Sequence, residues 1–319
     1  MGGKWKKMKI WTRKLKKNGR VNLYFCGILV FSYKMKLGVS YNVFDGQELL
    51  ESSIKSIREN VDYINVIYQN VSYSGEKADN SLEPLLFNLL SRHLVDEIFL
   101  YEAKYEDPHM NEKAKRDKGL SLAKKAGCTH FMSMDVDEYY VSDQLKTAKE
   151  KIIKNGIKAS AACIIEYLKE PVYQMVNGYS FNMNKDFYTF YVPFIMKINK
   201  FFLQKHGSSS FPCLVDPTRG LNCSKKFYLF PAHELAMHHM SSIRKNLDKK
   251  YKNSNLMNSS DEVQKYVRNI QQQVLDFDFE KNKKFLETYS MFNQSLIRKV
   301  DNVFGIEFDD ERINDFQKD

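Results

Sequence analysis

A chain of 319 residues with 43% hydrophobic and 28% charged residues can bury a substantial core, which excludes a wholly disordered or fibrous protein. The formal charge of +10 is concentrated in the opening stretch MGGKWKKMKIWTRKLKKNGR, which holds nine Lys/Arg and no acid, so the rest of the chain is close to neutral. That distribution argues against a nucleic-acid partner for the body, because phosphate binding needs basic groups spread over the contact face.

The basic stretch also carries both tryptophans, Trp5 and Trp11. Tryptophan beside lysine suits the headgroup region of an anionic bilayer, and a solvated terminus is the plainer alternative. The apolar run VNLYFCGILVF that follows is about half the roughly 20 residues of a spanning helix, and no small-residue cleavage site stands behind it, so a buried strand is expected there. The five cysteines are odd in number and lack CxxC spacing, which fits a reducing compartment. The expected location is therefore cytoplasmic, with the tail touching the cytoplasmic membrane face. No transmembrane segment is expected.

From residue 36 short apolar strands alternate with amphipathic helices. KLGVSYNVF predicts a strand, and GQELLESSIKSIREN a helix with Leu49, Leu50, Ile54 and Ile57 on one face. YINVIYQNV, DEIFLYE and THFMSM predict further strands, separated by the helices SLEPLLFNLLSRHL and NEKAKRDKGLSLAKKAG. Such alternation implies right-handed crossovers and a mostly parallel central sheet flanked by helices, an α/β fold whose ligands bind outside the carboxyl ends of the strands. SDQLKTAKEKIIKNG adds a helix; KASAACIIEYL and DFYTFYVPFIMKINKFF read as β-rich runs, and HGSSSFPCLVDPTRGLNCSKK as loop. From HHMSSIRKNLDKKYKN onward helix is expected to dominate. The expected organisation is a basic tail and apolar segment over 1–34, a catalytic domain over 35–258 and a helical extension over 259–319.

The stretch HFMSMDVDEYY places Asp135 and Asp137 at alternate positions of an extended segment, so both address one ligand while Val136 faces away. Glu138 adds a third carboxylate, and with no Lys or Arg beside it in sequence the cluster calls for a cation, a hard divalent ion being the obvious one. A DxD after a strand is also a common turn, so its surroundings decide.

Those surroundings are AKRDKGLSLAKKAGCTHFMSMDVDE, in which Arg116, Asp117, Gly119 and Ala123 lead to Asp135 and Asp137. The run resembles the family 2 glycosyltransferases, where an Arg-(Asn/Asp)-x-Gly turn leads through a helix and strand to the DxD. SYNVFDGQELLESSIKSI resembles the nucleotide-binding start of that family, and the resemblance covers residues 36–140 and, more faintly, 225–255. It implies a Rossmann-like GT-A fold and transfer of a sugar from a nucleotide-sugar donor, UDP- or GDP-linked, to a glycan or lipid-linked acceptor. It implies Mn²⁺ or Mg²⁺ on Asp135 and Asp137 with a His about a hundred residues on. His238 and His239 stand there, and His239, directly before the basic run, is preferred. Nucleotide and diphosphate contacts are expected from Asn42, Asp45, Lys113, Arg116, Asp135 and Arg244. Gln69 and Ser72 stand where the family carries a base-binding Asp, which is a departure. An inverting transfer needs a carboxylate base, for which Asp216 and Glu234 are the candidates.

Three other readings compete. A haloacid-dehalogenase-like phosphatase would use the first Asp of DxD as nucleophile, but Tyr139 stands where Thr or Val is wanted. A nucleotidyltransferase would carry a glycine-rich basic loop after the first strand, which SYNVFDGQE lacks. The non-enzymatic reading is a peripheral membrane protein driven by the tail.

Overall fold

The computed structural model describes residues 11–16, 19–73, 75–176, 191–199, 204–207, 211–213, 215–222, 226–253, 260–286 and 294–307. In chain order, β1 (Trp11–Leu15), β2 (Arg20–Phe25), β3 (Ile28–Lys34) and β4 (Leu37–Val43) precede α1 (Gln47–Ile57), β5 (Tyr63–Tyr68), α2 (Leu82–Ser91) and β6 (Glu97–Leu100). Next come α3 (Pro108–Lys125), β7 (His130–Asp135), β8 (Glu138–Tyr139), α4 (Ser142–Asn155), β9 (Ala159–Leu168), β10 (Tyr173–Val176), β11 (Tyr191–Pro193) and β12 (Met196–Lys197). The described chain closes with β13 (Phe227–Phe230), β14 (Ala236–Ser242), α5 (Leu247–Lys252), α6 (Asp261–Asp276), β15 (Lys284–Leu286) and β16 (Gln294–Lys299).

Strands β6, β5, β4 and β7 form a parallel sheet in that order, with β12 antiparallel at the β7 edge. β5 is buried along its whole length, as a parallel strand covered on both faces must be. One face packs against α1, α2 and α4 through residues such as Tyr41, Val66 and Met134 against Ile54, Leu86 and Ile152. The other packs against α3 through Ile67, Phe131, Leu120 and Ala123. Helix α3 starts cleanly because Pro108 occupies its first turn and the Asp107 carboxylate accepts from the His109 N–H at 2.8 Å. It crosses β4 closely at Gly119, where a Cβ would stand 1.9 Å from Ser40 Oγ. Arg116–Gly119 thus lie inside this continuous helix, as the periodicity of NEKAKRDKGLSLAKKAG predicts, and not in the turn of the family pattern.

A second sheet runs β15-β16-β10-β9-β14-β8, with β11 and β13 also on β9. Here the structure departs from expectation. The segment expected to open a helical region at His238 is the strand β14, parallel to β9, and helix begins only at Leu247, where Asn246 accepts from the Lys249 N–H at 2.7 Å. Met237 and Met240, three apart, imitate a helical face, but the free edge of β9 takes the backbone. The extension over 259–319 is helical only to Asp276 among its described residues; β15 and β16 then pair antiparallel, and β16 joins β10, burying Ile297.

VNLYFCGILVF is not one buried strand. Cys26 (φ 47°) and Gly27 (φ 85°) form a two-residue turn with both residues left-handed, which closes a β-hairpin between β2 and β3. With β1 these strands make a separate three-stranded antiparallel sheet. Val21 enters the core, while Phe25, Ile28, Leu29 and Val30 stay exposed. No described helix is long and apolar enough to cross a membrane.

Candidate functional site

The parallel strands end in a cleft of about 300 Å³. Asn42 and Asp45 line it from the end of β4, Gln69 and Ser72 from the end of β5, and Asp135 and Asp137 from the end of β7. This is where an open α/β sheet presents ligands, because the helix crossovers leave a crevice there.

Asp135 ends β7, in register with Asn42 of β4. One of its oxygens meets Arg116 Nη2 at 3.3 Å and the other is held by Arg219. Arg219 is buried and shared: its Nη1 lies 2.5 Å from Glu138 Oε1 and its Nε 3.6 Å from Asp216 Oδ2. Glu112 ties the group together, taking Arg116 Nη2 at 2.7 Å and the Thr218 hydroxyl at 2.8 Å. Burial would raise the Asp135 carboxyl, but the Arg116 and Arg219 guanidiniums outweigh it and hold it below its usual range. For Glu138 burial wins and its carboxyl is raised. The acidic cluster is therefore not left to an ion for neutralisation, contrary to the sequence expectation. Its counter-charges arrive from α3 and from the 215–222 loop.

Asp137 is buried in the turn just before β8. Its Oδ2 accepts from Arg244 Nη2 at 2.6 Å and Lys250 Nζ at 2.8 Å, while Oδ1 faces His239 Nε2 at 3.7 Å. Burial opposes its ionisation, yet Lys250, Arg244 and His239 hold the carboxyl well below the usual range. His239 Nδ1 lies 2.8 Å from Glu166 Oε1 on neighbouring β9. Burial would lower the imidazole, but Glu166 and Asp137 raise it to about 9. Arg244 reaches the site past Gly46, whose φ of 75° suits glycine and where a Cβ would fall 1.4 Å from Arg244 Nη1.

Among the described residues no group of three or more His, Cys, Asp or Glu side chains converges as a metal cluster. The fit for one divalent ion rests on two donors, Asp137 Oδ1 and His239 Nε2. They face each other across a ligand-to-ligand span, and a carboxylate behind the imidazole is the support that metal-binding histidines use. Two protein donors suffice for an ion that completes its shell with phosphate oxygens and water.

The β5 side of the cleft is built on Lys115. Its buried Nζ donates to Gln69 Oε1 at 3.0 Å, and Gln69 Nε2 donates in turn to Val71 O at 2.8 Å. Burial lowers the Lys115 ammonium to about 8. Among the described residues neither amide atom of Asn42 has a partner, and the Tyr73 hydroxyl also lacks one. Both side chains line the cleft.

Four sequence candidates fall elsewhere. His238 points to the opposite face of β14, where Nδ1 meets the Tyr167 hydroxyl at 2.9 Å and the ring packs 5.0 Å from Phe304; burial pushes it to about 4, so it stays neutral. Lys113 lies against Gly207, outside the cleft lining, because the helical turn that aims Glu112, Lys115 and Arg116 inward rotates it away. Asp216 is not in the lining either, and one of its oxygens is occupied by the Thr218 N–H at 2.7 Å. Glu234 belongs to a different cavity beside α4, ion-paired to Lys151 at 2.6 Å. Sequence reasoning missed Lys115, Arg219, Lys250 and Glu166. Only Lys115 carried a local signal, since Asn111, Lys115, Gly119 and Leu122 repeat along the buried face of α3.

No protein-family model and no curated protein matches the chain. Among solved structures, that of S. aureus TarS is 14% identical over 42% of this chain and 22% of that one, with a TM-score of 0.29. TarS 1-349 in complex with UDP gives 15% identity over 48% and 40% of the two chains at a TM-score of 0.31. Its complex with UDP-GlcNAc gives 18% over 48% and 39% at 0.29. The chain thus spans less than half the length of these structures, and TM-scores of this size carry neither a shared fold nor a shared activity to it.

Proposed function

We propose that this chain is a GT-A-type glycosyltransferase that takes a nucleotide-diphosphate sugar, UDP- or GDP-linked, and passes the sugar to a glycan or lipid-linked acceptor. The observation that carries the reading is the Asp137–His239 pair, backed by Glu166 and flanked by Arg244 and Lys250, at the carboxyl ends of a parallel sheet. Asp137 Oδ1 and His239 Nε2 would hold Mn²⁺ or Mg²⁺, the imidazole favouring Mn²⁺. When bound, such an ion offsets the charge that grows on the departing diphosphate. Arg244 and Lys250 already converge on the same carboxylate and supply fixed positive charge at that point. Asp135, clamped by Arg116 and Arg219, is oriented for the ribose or sugar hydroxyls. Lys115, positioned by Gln69, faces the base side as a donor. The reading gives no base role to Asp216 or Glu234. A DxD phosphatase would need Asp135 as a free nucleophile, and both its oxygens are engaged by guanidiniums.

The test is a thermal-shift screen of UDP-, GDP- and CMP-sugars with Mn²⁺, Mg²⁺ or EDTA. A donor at about a hundred times its Kd should raise Tm by roughly 5 °C or more, only with the divalent ion present. No shift with any donor, or equal shifts in EDTA, would overturn the assignment. The donor's affinity should also fall as pH rises through about 8, where Lys115 gives up its proton. Lys115→Met should flatten that profile and weaken binding about tenfold. An unchanged pH profile in that variant would remove Lys115 from the site. The same shift has a stability consequence of known sign. The unfolded chain binds more protons at this lysine between about 8 and about 10.4, so its penalty on the folded state fades as pH rises through that window.

A further inference from the structure

The large apolar side chains at the tip of the β2–β3 hairpin have no core to enter. Phe25 is 43% exposed, Ile28 71%, Leu29 50%, Val30 57% and nearby Trp11 59%. They form a contiguous group. Trp11 sits across from Phe25 and Phe25 from Ile28, with the Trp11 and Phe25 rings 4.9 Å apart. Val21 and Leu23 of the same strand pack against the body, and alternation puts Phe25 on their face but past its edge. The next row pairs Tyr24 with Leu29, and the register shift beside it leaves Val30 without a partner on β2. The tip is thus apolar on both faces of its turn.

Charge decides what covers it. Residues 1–44 contain eleven Lys/Arg and no Asp or Glu. Lys14 lies over the Tyr24 ring at 5.3 Å, and Arg20 and Lys34 pair at the hairpin root. A second copy of this chain would bring the same positive charge to the contact, whereas anionic lipid headgroups complement it. Exposed aromatic and aliphatic tips on a basic stem are suited to the boundary between headgroups and acyl chains.

We infer that the β2–β3 tip docks the protein on an anionic lipid surface, with Phe25, Ile28, Leu29 and Val30 entering the headgroup boundary, Trp11 at its level and the basic residues of 1–44 attracted to the anionic surface. The apolar insertion belongs to the hairpin, and the tail expected from sequence adds charge. This surface is separate from the cleft and stands whether or not the cleft takes a nucleotide sugar.

The test uses the full chain and vesicles of phosphatidylcholine alone or mixed in equal parts with phosphatidylglycerol. The wild type should co-sediment with the mixed vesicles and not with phosphatidylcholine alone. In a Trp5→Phe background the emission of Trp11 should shift to the blue on binding. Replacing Ile28, Leu29 and Val30 together by Ser should weaken binding roughly tenfold or more with Tm unchanged. Ile28→Ser alone should weaken it in the same direction and serves if the triple variant does not fold. Undiminished binding by these variants, an unmoved Trp11 emission in bound protein, or sedimentation velocity showing a tip-mediated dimer that ignores vesicles would each overturn the inference.

Discussion

Asp137→Asn should lower Mn²⁺-dependent sugar transfer by at least about a hundredfold, the usual consequence of removing one charge-stabilising group from a transition state. The substitution keeps the shape of the side chain and an oxygen for Arg244 Nη2, now 2.6 Å from the carboxylate, while removing the charge. It is more informative than Asp137→Ala. Arg244 is only 3% exposed, and Asp137→Ala takes away its hydrogen-bond acceptor and leaves a cavity as well as removing the charge, so lost activity there would be confounded with lost fold. Steady-state transfer assays in Mn²⁺, with a thermal melt of each variant, separate the two effects. Wild-type turnover in the Asn variant would overturn the proposal that Asp137 holds a metal ion.

Arg219→Met should cost about 3–5 kcal/mol at neutral pH, a drop in Tm of roughly 10 °C. Arg219 is buried between Asp135, Glu138 and Asp216, and methionine fills much of the volume without the charge. The pH dependence has a definite direction. Asp135 is held below its ordinary value in the wild type, so its stabilisation is present above the unfolded carboxylate range and is lost as pH falls through the folded value. Glu138 is raised by burial even with Arg219 in place, and without it the charged form costs more. The deficit of the variant should therefore be largest near neutral pH and narrow toward about pH 4, where unfolded carboxyls begin to protonate. Thermal melts of both proteins across that range check it, and equal Tm at neutral pH would show that the ion cluster contributes nothing net.

Between residues 36 and 155 the alternation of strands and helices was readable from periodicity, because each element there buries one face or both of a single parallel sheet. Beyond that the signal weakens for identifiable reasons. β14 carries two methionines at helical spacing and becomes a strand only because β9 offers an open edge. β2 and β3 share one apolar run that Gly27 divides. In the site, Asp135, Asp137 and His239 stood out because a short motif and its spacing mark them. Their partners did not: Arg219 reaches Asp135 across 84 residues and Lys250 reaches Asp137 across 113, and no local pattern marks which of many lysines and arginines will do so. The expectation that no basic group neutralises the acidic cluster failed for the same reason, because Arg219, Arg244 and Lys250 are remote in sequence.

The hairpin and the cleft lie at opposite ends of β4. β3 leads directly into the amino end of that strand, whose seven residues run to the cleft at its carboxyl end, a rise of roughly 23 Å. The hairpin inferred above to meet lipid is thus rooted at the end of β4 far from the cleft. If the cleft acts as proposed on an acceptor anchored in the same bilayer, that acceptor would have to extend away from the lipid to reach it.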